Sequence, residues 1–182
     1  MVERARPLRA KQRVFFALWP DASVREQIAV AAAAVITNAQ QRVVPVDNYH
    51  LTIAFIGALS PAAVPDIITS AHSVRFAPFE LVLQQAGYWQ RSRIAWLAPA
   101  GCPQSLATLV DDLWNKLAGL GLMLDSRQFR PHLTLARDAD EVASVQLVPA
   151  LRWHVQSFAL LESTPGSAGP VYTVLEEFHA AR

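Results

Sequence analysis

Cysteine is almost absent from this chain. Of 182 residues only Cys102 is a cysteine, so no disulfide forms within the chain and no thiolate cage holds a metal. Charge is scarce too: charged residues make up 17%, and 16 Lys and Arg stand against 15 Asp and Glu, a formal net charge of +1. A protein that coats nucleic acid by bulk electrostatics needs a larger cationic excess, although a local anion site does not. No apolar run approaches the roughly 20 residues of a membrane helix. The run Val14–Trp19, behind the basic stretch MVERARPLRAK, is too short for a signal peptide. No H-E-x-x-H and no carboxylate cluster accompanies the histidines, so a third metal ligand is missing. These absences lead to a soluble, cytoplasmic protein that makes no membrane contact and uses no cofactor and no metal.

Apolar residues are plentiful. At 52% hydrophobic the chain has ample surface for a core, and its length fits one domain or two small lobes sharing that core. Residues 1–12 read as a flexible basic arm and 13–182 as a single domain. Val14–Leu18 reads as a strand, and Pro20-Asp21 caps a helix that carries Val24, Ile28, Ala31, Ala32 and Val35 to about Thr37. Val43-Val44 is a short strand and His50–Ile56 a stronger one that Gly57 ends. A helix through Ile67 and Ala71 is short or restarts near Pro65. Phe79–Gln84 and Arg93–Ala98 read as paired strands with Gly87 near their turn. Leu106, Leu109, Val110, Leu113, Leu117 and Leu120 mark a helix that Gly119 and Gly121 stop. Strands follow at Leu133–Ala136, Val155–Leu161 and Val171–Phe178, which makes the fold α+β.

One pattern occurs twice. HLTIAFIG begins at His50, and HLTLAR begins at His132, 82 residues later. A single H-x-T match is weak, but two copies sharing H-L-T, an apolar fourth residue and Ala fifth are not expected by chance. Two similar lobes, each with one copy on a strand, account for the repeat. On a strand, residues i and i+2 share a face. His50 therefore shares a face with Thr52, and His132 with Thr134, while Leu51, Ile53, Leu133 and Leu135 pack behind them. If both strands face one groove, two imidazoles flank a phosphorus atom and two hydroxyls donate to its non-bridging oxygens. In-line displacement at phosphorus needs a base on the attacking oxygen and an acid on the leaving one. Two nearby histidines tend to hold one shared proton, which supplies both without a metal. His72, His154 and His179 have no comparable context and read as surface or structural residues.

With these motifs the chain resembles the two-histidine phosphoesterase superfamily. More closely, it is similar to the bacterial RNA 2′,3′-cyclic phosphodiesterases, formerly called the 2′-5′ RNA ligase family. The resemblance includes RVFFALWPDASVREQI from Arg13, VDNYHLTIAFIG from Val46, RSRIAWL from Arg91, FRPHLTLARD from Phe129, and the closing FALLES and GPVYTVLEEF. It implies a bilobal α+β fold: two pseudo-symmetric lobes of mainly antiparallel sheet, helices outside, and a central groove. It also implies RNA processing by hydrolysis of 2′,3′-cyclic phosphodiester ends to 2′-phosphomonoesters. His50 is then the proton donor, His132 the proton acceptor, and Thr52 and Thr134 hold phosphate oxygens. The partner is RNA with a cyclic phosphate end, tRNA fragments among the candidates, and the protein a monomer.

Family members also use the residue five after each motif histidine near the base, here Phe55 and Arg137. An aromatic ring and a guanidinium can sandwich a base. Strict alternation, however, puts both on the faces opposite the histidines, so they reach the groove only if the strand twists, bulges or ends there. Phe55 is otherwise a core aromatic. Arg130, two residues before His132, is a further candidate phosphate ligand, while Trp89 and Trp96 read as core or groove wall. Three activities stay in view: the RNA-end phosphodiesterase; a relative acting on a cyclic mononucleotide or ADP-ribose cyclic phosphate, or working as a 2′-5′ RNA ligase; and a non-catalytic RNA-end-binding protein.

Overall fold

The computed structural model describes residues 11–36, 42–123, 128–140, 142, 144–167 and 169–181. Most of the expected basic arm, residues 1–10, lies outside them, as does Thr37. The strands are β1 (Gln12–Leu18), β2 (Arg42–Val43), β3 (Leu51–Leu59), β4 (Phe79–Trp89), β5 (Ile94–Ala98), β6 (Leu133–Arg137), β7 (Val145–Val155), β8 (Ser157–Gly166) and β9 (Gly169–His179). The helices are α1 (Ala22–Val35), α2 (Val64–Ala71) and α3 (Gln104–Ala118).

The helices form for the reasons their sequences state. Asp21 caps α1 by accepting the Val24 N–H at 2.9 Å, and Val24, Ile28, Ala32 and Val35 make its buried stripe. Pro65 sits in the first turn of α2, where its missing N–H goes unneeded. Leu106, Leu109, Val110, Leu113 and Leu117 bury one face of α3. These stripes and one face of the sheet close around a continuous apolar core.

The sheet order is β7-β4-β5-β6-β3-β1-β8-β9, with β2 paired to β6. The order divides at β6–β3 into two groups of four, and the strand–helix–strand run β1–α1–β3 is echoed by β5–α3–β6. All pairings are antiparallel. The fold is thus the expected bilobal α+β arrangement. The lobes meet where Leu51 pairs with Leu133. Both leucines are fully buried, so truncating either to Ala costs about 2–5 kcal/mol. On the sheet face away from the helices one lobe carries a small apolar cluster, Phe15, Ala17, Ala159 and Leu161, while in the other lobe Ala95, Ala136 and Ala139 cluster against Ile36 at the end of α1.

Four sequence readings need correction. Gly57 does not end β3: it takes φ +89°, which lets the chain pass an irregularity and continue to Leu59. Gly87 lies inside β4, opposite Trp96, rather than at the turn. A Cβ there would come 2.5 Å from the Trp96 ring, so glycine is needed for the indole to lie flat across the strand. Val155–Leu161 is two strands, because the chain breaks at Gln156 between β7 and β8. The strand β7 was not anticipated, since its first six residues are mostly exposed and show no apolar alternation.

Candidate active site

Each motif histidine immediately precedes a central strand, His50 before β3 and His132 before β6. Continuing the Leu51–Leu133 register by one residue each way sets His50 opposite Thr134 and Thr52 opposite His132. Leucine pairs at the centre while the four polar groups emerge on the other face. The two imidazoles are held alike. His50 Nδ1 lies 2.7 Å from the Asn48 carbonyl, and His132 Nδ1 lies 2.8 Å from the Arg130 carbonyl. A carbonyl only accepts, so Nδ1–H donates in both and each Nε2 is left for chemistry.

The alternation problem at Phe55 and Arg137 has a structural answer. Along β3, Thr52 pairs with Ala17 and Ala54 with Phe16, which makes Ile53 an extra residue. Along β6, Thr134 pairs with Trp96 and Ala136 with Ala95, which makes Leu135 an extra residue. The bulges fall at the same place in both motifs. Each puts two consecutive residues into the interior, Ile53-Ala54 and Leu135-Ala136, and so reverses the phase of the residues beyond it. Phe55, 48% exposed, and Arg137 thereby reach the histidine face, where both line one cavity. The freed bulge carbonyls are satisfied from outside: Trp114 Nε1–H donates to Ile53 O at 2.8 Å, and Val44 N–H to Leu135 O at 2.8 Å.

That cavity, about 640 Å³, is lined by His50, Thr52, Phe55, Thr134 and Arg137. It extends to Arg13, Arg42 and the tip of the β8–β9 hairpin. His132 is not among its lining residues; its ring lies edge-on to Trp89, with centroids 4.5 Å apart. Arg130 is exposed and contributes its carbonyl to the site, while its side chain does not line the cavity. Trp96 packs on Trp89 at 5.7 Å, behind the ring that meets His132. Among the described residues no group of three or more His, Cys, Asp or Glu could hold a metal ion.

Aromatic walls set the electrostatics. Phe15 and Tyr172 lie 5.1 Å from the His50 ring and Trp19 lies 6.1 Å from it. Desolvation by this cage lowers the His50 pKa to about 4. The bond to Asn48 opposes the shift, and the charges of Arg137 and His132 add to it. His132 is lowered as well, first by desolvation, then by Arg137, against its bond to Arg130. Both rings are therefore neutral in the free site near pH 7.

Sequence reasoning had missed Phe15, Trp19, Tyr172, Asn48, Arg13 and Arg42, while Trp89, read as core or groove wall, stands as a wall against His132. Asn48 was within reach, since the carbonyl two residues before each histidine is part of the repeat. Phe15 and Trp19 alternate along the start of the chain. Trp89 and Tyr172 carry no local signal, because long-range strand pairing alone brings them to the imidazoles.

A family model described as LigT like phosphoesterase matches the chain twice, over residues 18–96 and 97–172. The RNA 2′,3′-cyclic phosphodiesterase of Escherichia coli K12 is 36% identical over 169 residues, covering 92% of this chain and 96% of that protein. Its namesake from Thermus thermophilus is 31% identical over 177 residues, 91% of this chain and 89% of that protein. The crystal structure of E. coli LigT complexed with 3′-AMP superposes with a TM-score of 0.86 at 34% identity, covering 94% of this chain and 99% of that one.

Proposed function

The chain belongs to the LigT-like phosphoesterase family, and on that premise we propose that it hydrolyses RNA 2′,3′-cyclic phosphodiester ends to 2′-phosphomonoesters. One observation carries the reading: two H-x-T segments meet in register, each imidazole pinned through Nδ1 so that Nε2 is free.

His132 Nε2 takes a proton from water as its oxygen attacks phosphorus. The bond from phosphorus to the 3′ oxygen breaks, and His50 Nε2–H protonates that oxygen, which leaves a 3′-hydroxyl and a 2′-phosphate. Thr52 and Thr134 donate to the non-bridging oxygens, and the Arg137 guanidinium balances charge gathering there. The proton on His50 arrives with the substrate. A bound phosphate anion favours imidazolium, so it raises the low pKa of the free site and a proton is taken up on binding. The terminal base stacks between Phe55 and Arg137, both of which line the cavity. Arg130 assists from outside that cavity at most.

Both histidines and both threonines come from one chain, which supports a monomer with residues 13–182 acting as one bilobal domain. Cytoplasmic RNA fragments, those of tRNA included, are the proposed substrates; no helix among the described residues is long and apolar enough to cross a membrane. Product analysis on an oligonucleotide with a 2′,3′-cyclic phosphate end tests the proposal. The expected product is the 2′-phosphate. His50→Ala and His132→Ala should each lose about 10²- to 10⁴-fold in turnover, and the double variant little more. A 3′-phosphate product, or near-native turnover in either folded variant, would overturn it.

A further inference from the structure

Three arginines line the cavity, and two have evident employment. Arg42 pairs with Asp138 at 3.3 Å. Arg137 acts on both histidines. Arg13 has no carboxylate partner among the described residues. It is exposed on β1, and its guanidinium carbon lies 5.1 Å from the centroid of the Phe55 ring. Stacked there, it covers one face of Phe55 and leaves the other for a base. A stacked guanidinium still offers its in-plane N–H groups, the geometry that grips a phosphate.

The cavity does not stop at the histidines. It runs on to Ser163 and Thr164 of β8 and to Gly169 and Pro170 of β9. The hairpin tip is fastened to the approach of His50, because Asn48 Nδ2–H donates to Pro170 O at 2.8 Å. Where its two strands meet there is no room for a side chain at Gly166, since a Cβ there would come 2.7 Å from the Gly169 carbonyl oxygen. Opening one cyclic phosphate makes no use of this extension. Ligand pockets span about 300 to 1,000 Å³, and a single nucleotide belongs at the low end of that range. At about 640 Å³ this cavity has room for more.

We propose that Arg13 binds the phosphodiester joining the terminal nucleotide to its 5′ neighbour and that the β8–β9 tip receives that neighbour. This rests on the reading of the site as an RNA cyclic phosphodiesterase. A nucleoside 2′,3′-cyclic phosphate brings one negative charge, to the histidines. An RNA end brings a second, one nucleotide away, and a second unpaired cation along the same cavity complements it. The site then selects oligonucleotide ends over free nucleoside cyclic phosphates.

Three substrates test this: adenosine 2′,3′-cyclic phosphate, the dinucleotide ApA ending in a 2′,3′-cyclic phosphate, and that dinucleotide with an uncharged methylphosphonate linkage. The native enzyme should prefer the charged dinucleotide over the mononucleoside by about tenfold or more in kcat/KM, the worth of one charge-assisted contact. Arg13→Gln should erase that preference. The methylphosphonate should erase it in the native enzyme, with no further loss of preference in Arg13→Gln. The salt dependence of kcat/KM for the charged dinucleotide should also flatten in the variant, by about 0.7 in log–log slope. An unchanged preference in Arg13→Gln, or equal losses on all three substrates, would overturn the inference while leaving the hydrolytic reading intact. Failure of the native enzyme to open any of the three would remove both.

Discussion

Acidification should destabilise this protein through its two lowered histidines, and the share of His50 follows from the structure. The cage of Phe15, Trp19 and Tyr172 lowers the His50 pKa to about 4, against 6.5 for a free imidazole. Between those values the unfolded chain binds a proton at His50 and the folded chain does not. Stability from this residue is therefore complete above about pH 6.5 and is lost as pH falls toward 4. At about 1.36 kcal/mol per pKa unit the full difference is about 3.4 kcal/mol. His50→Gln cannot titrate there and keeps a similar polar shape. Urea denaturation of both proteins should be followed from pH 7.5 to 4.5, taking the difference in unfolding free energy at each pH. That difference should move against the native protein by up to about 3 kcal/mol across the window. Inorganic phosphate, bound at the site, should restore part of the loss by favouring the charged ring. Parallel curves for the two proteins would refute the claim that burial suppresses the His50 proton, and with it proton uptake on substrate binding.

Trp114→Phe keeps the ring but removes the N–H that holds the Ile53 carbonyl, so stability should fall by about 1–3 kcal/mol. Because that carbonyl sits at the bulge that turns Phe55 into the cavity, KM for base-bearing substrates should rise more than KM for an aryl phosphodiester lacking a base; equal effects would mean that the indole serves packing alone. Turnover should survive EDTA, since no cluster of metal-ligating side chains occurs among the described residues. Loss of activity in EDTA with recovery on zinc or manganese would point to a metallohydrolase instead.

The sequence by itself determined which four side chains the proposed chemistry uses. His50, Thr52, His132 and Thr134 were legible because duplication is visible without coordinates, and because the period of a strand assigns each pair to one face. The stripes of α1 and α3 were legible for a similar reason: burial of one helix face leaves an apolar period in the chain. What sequence could not decide was the phase beyond the fourth motif residue. Ile53 and Leu135 look like ordinary inward residues, and only their partners, Ala17 with Phe16 and Trp96 with Ala95, reveal that each is one too many. A bulge is a mismatch between two strands, so neither strand encodes it alone. The same holds for the cage around His50 and for Trp89 against His132, which strands distant in sequence bring together. Tertiary structure thus decided which way Phe55 and Arg137 face and how strongly each imidazole holds its proton. Both depend on neighbours that only the assembled sheet supplies.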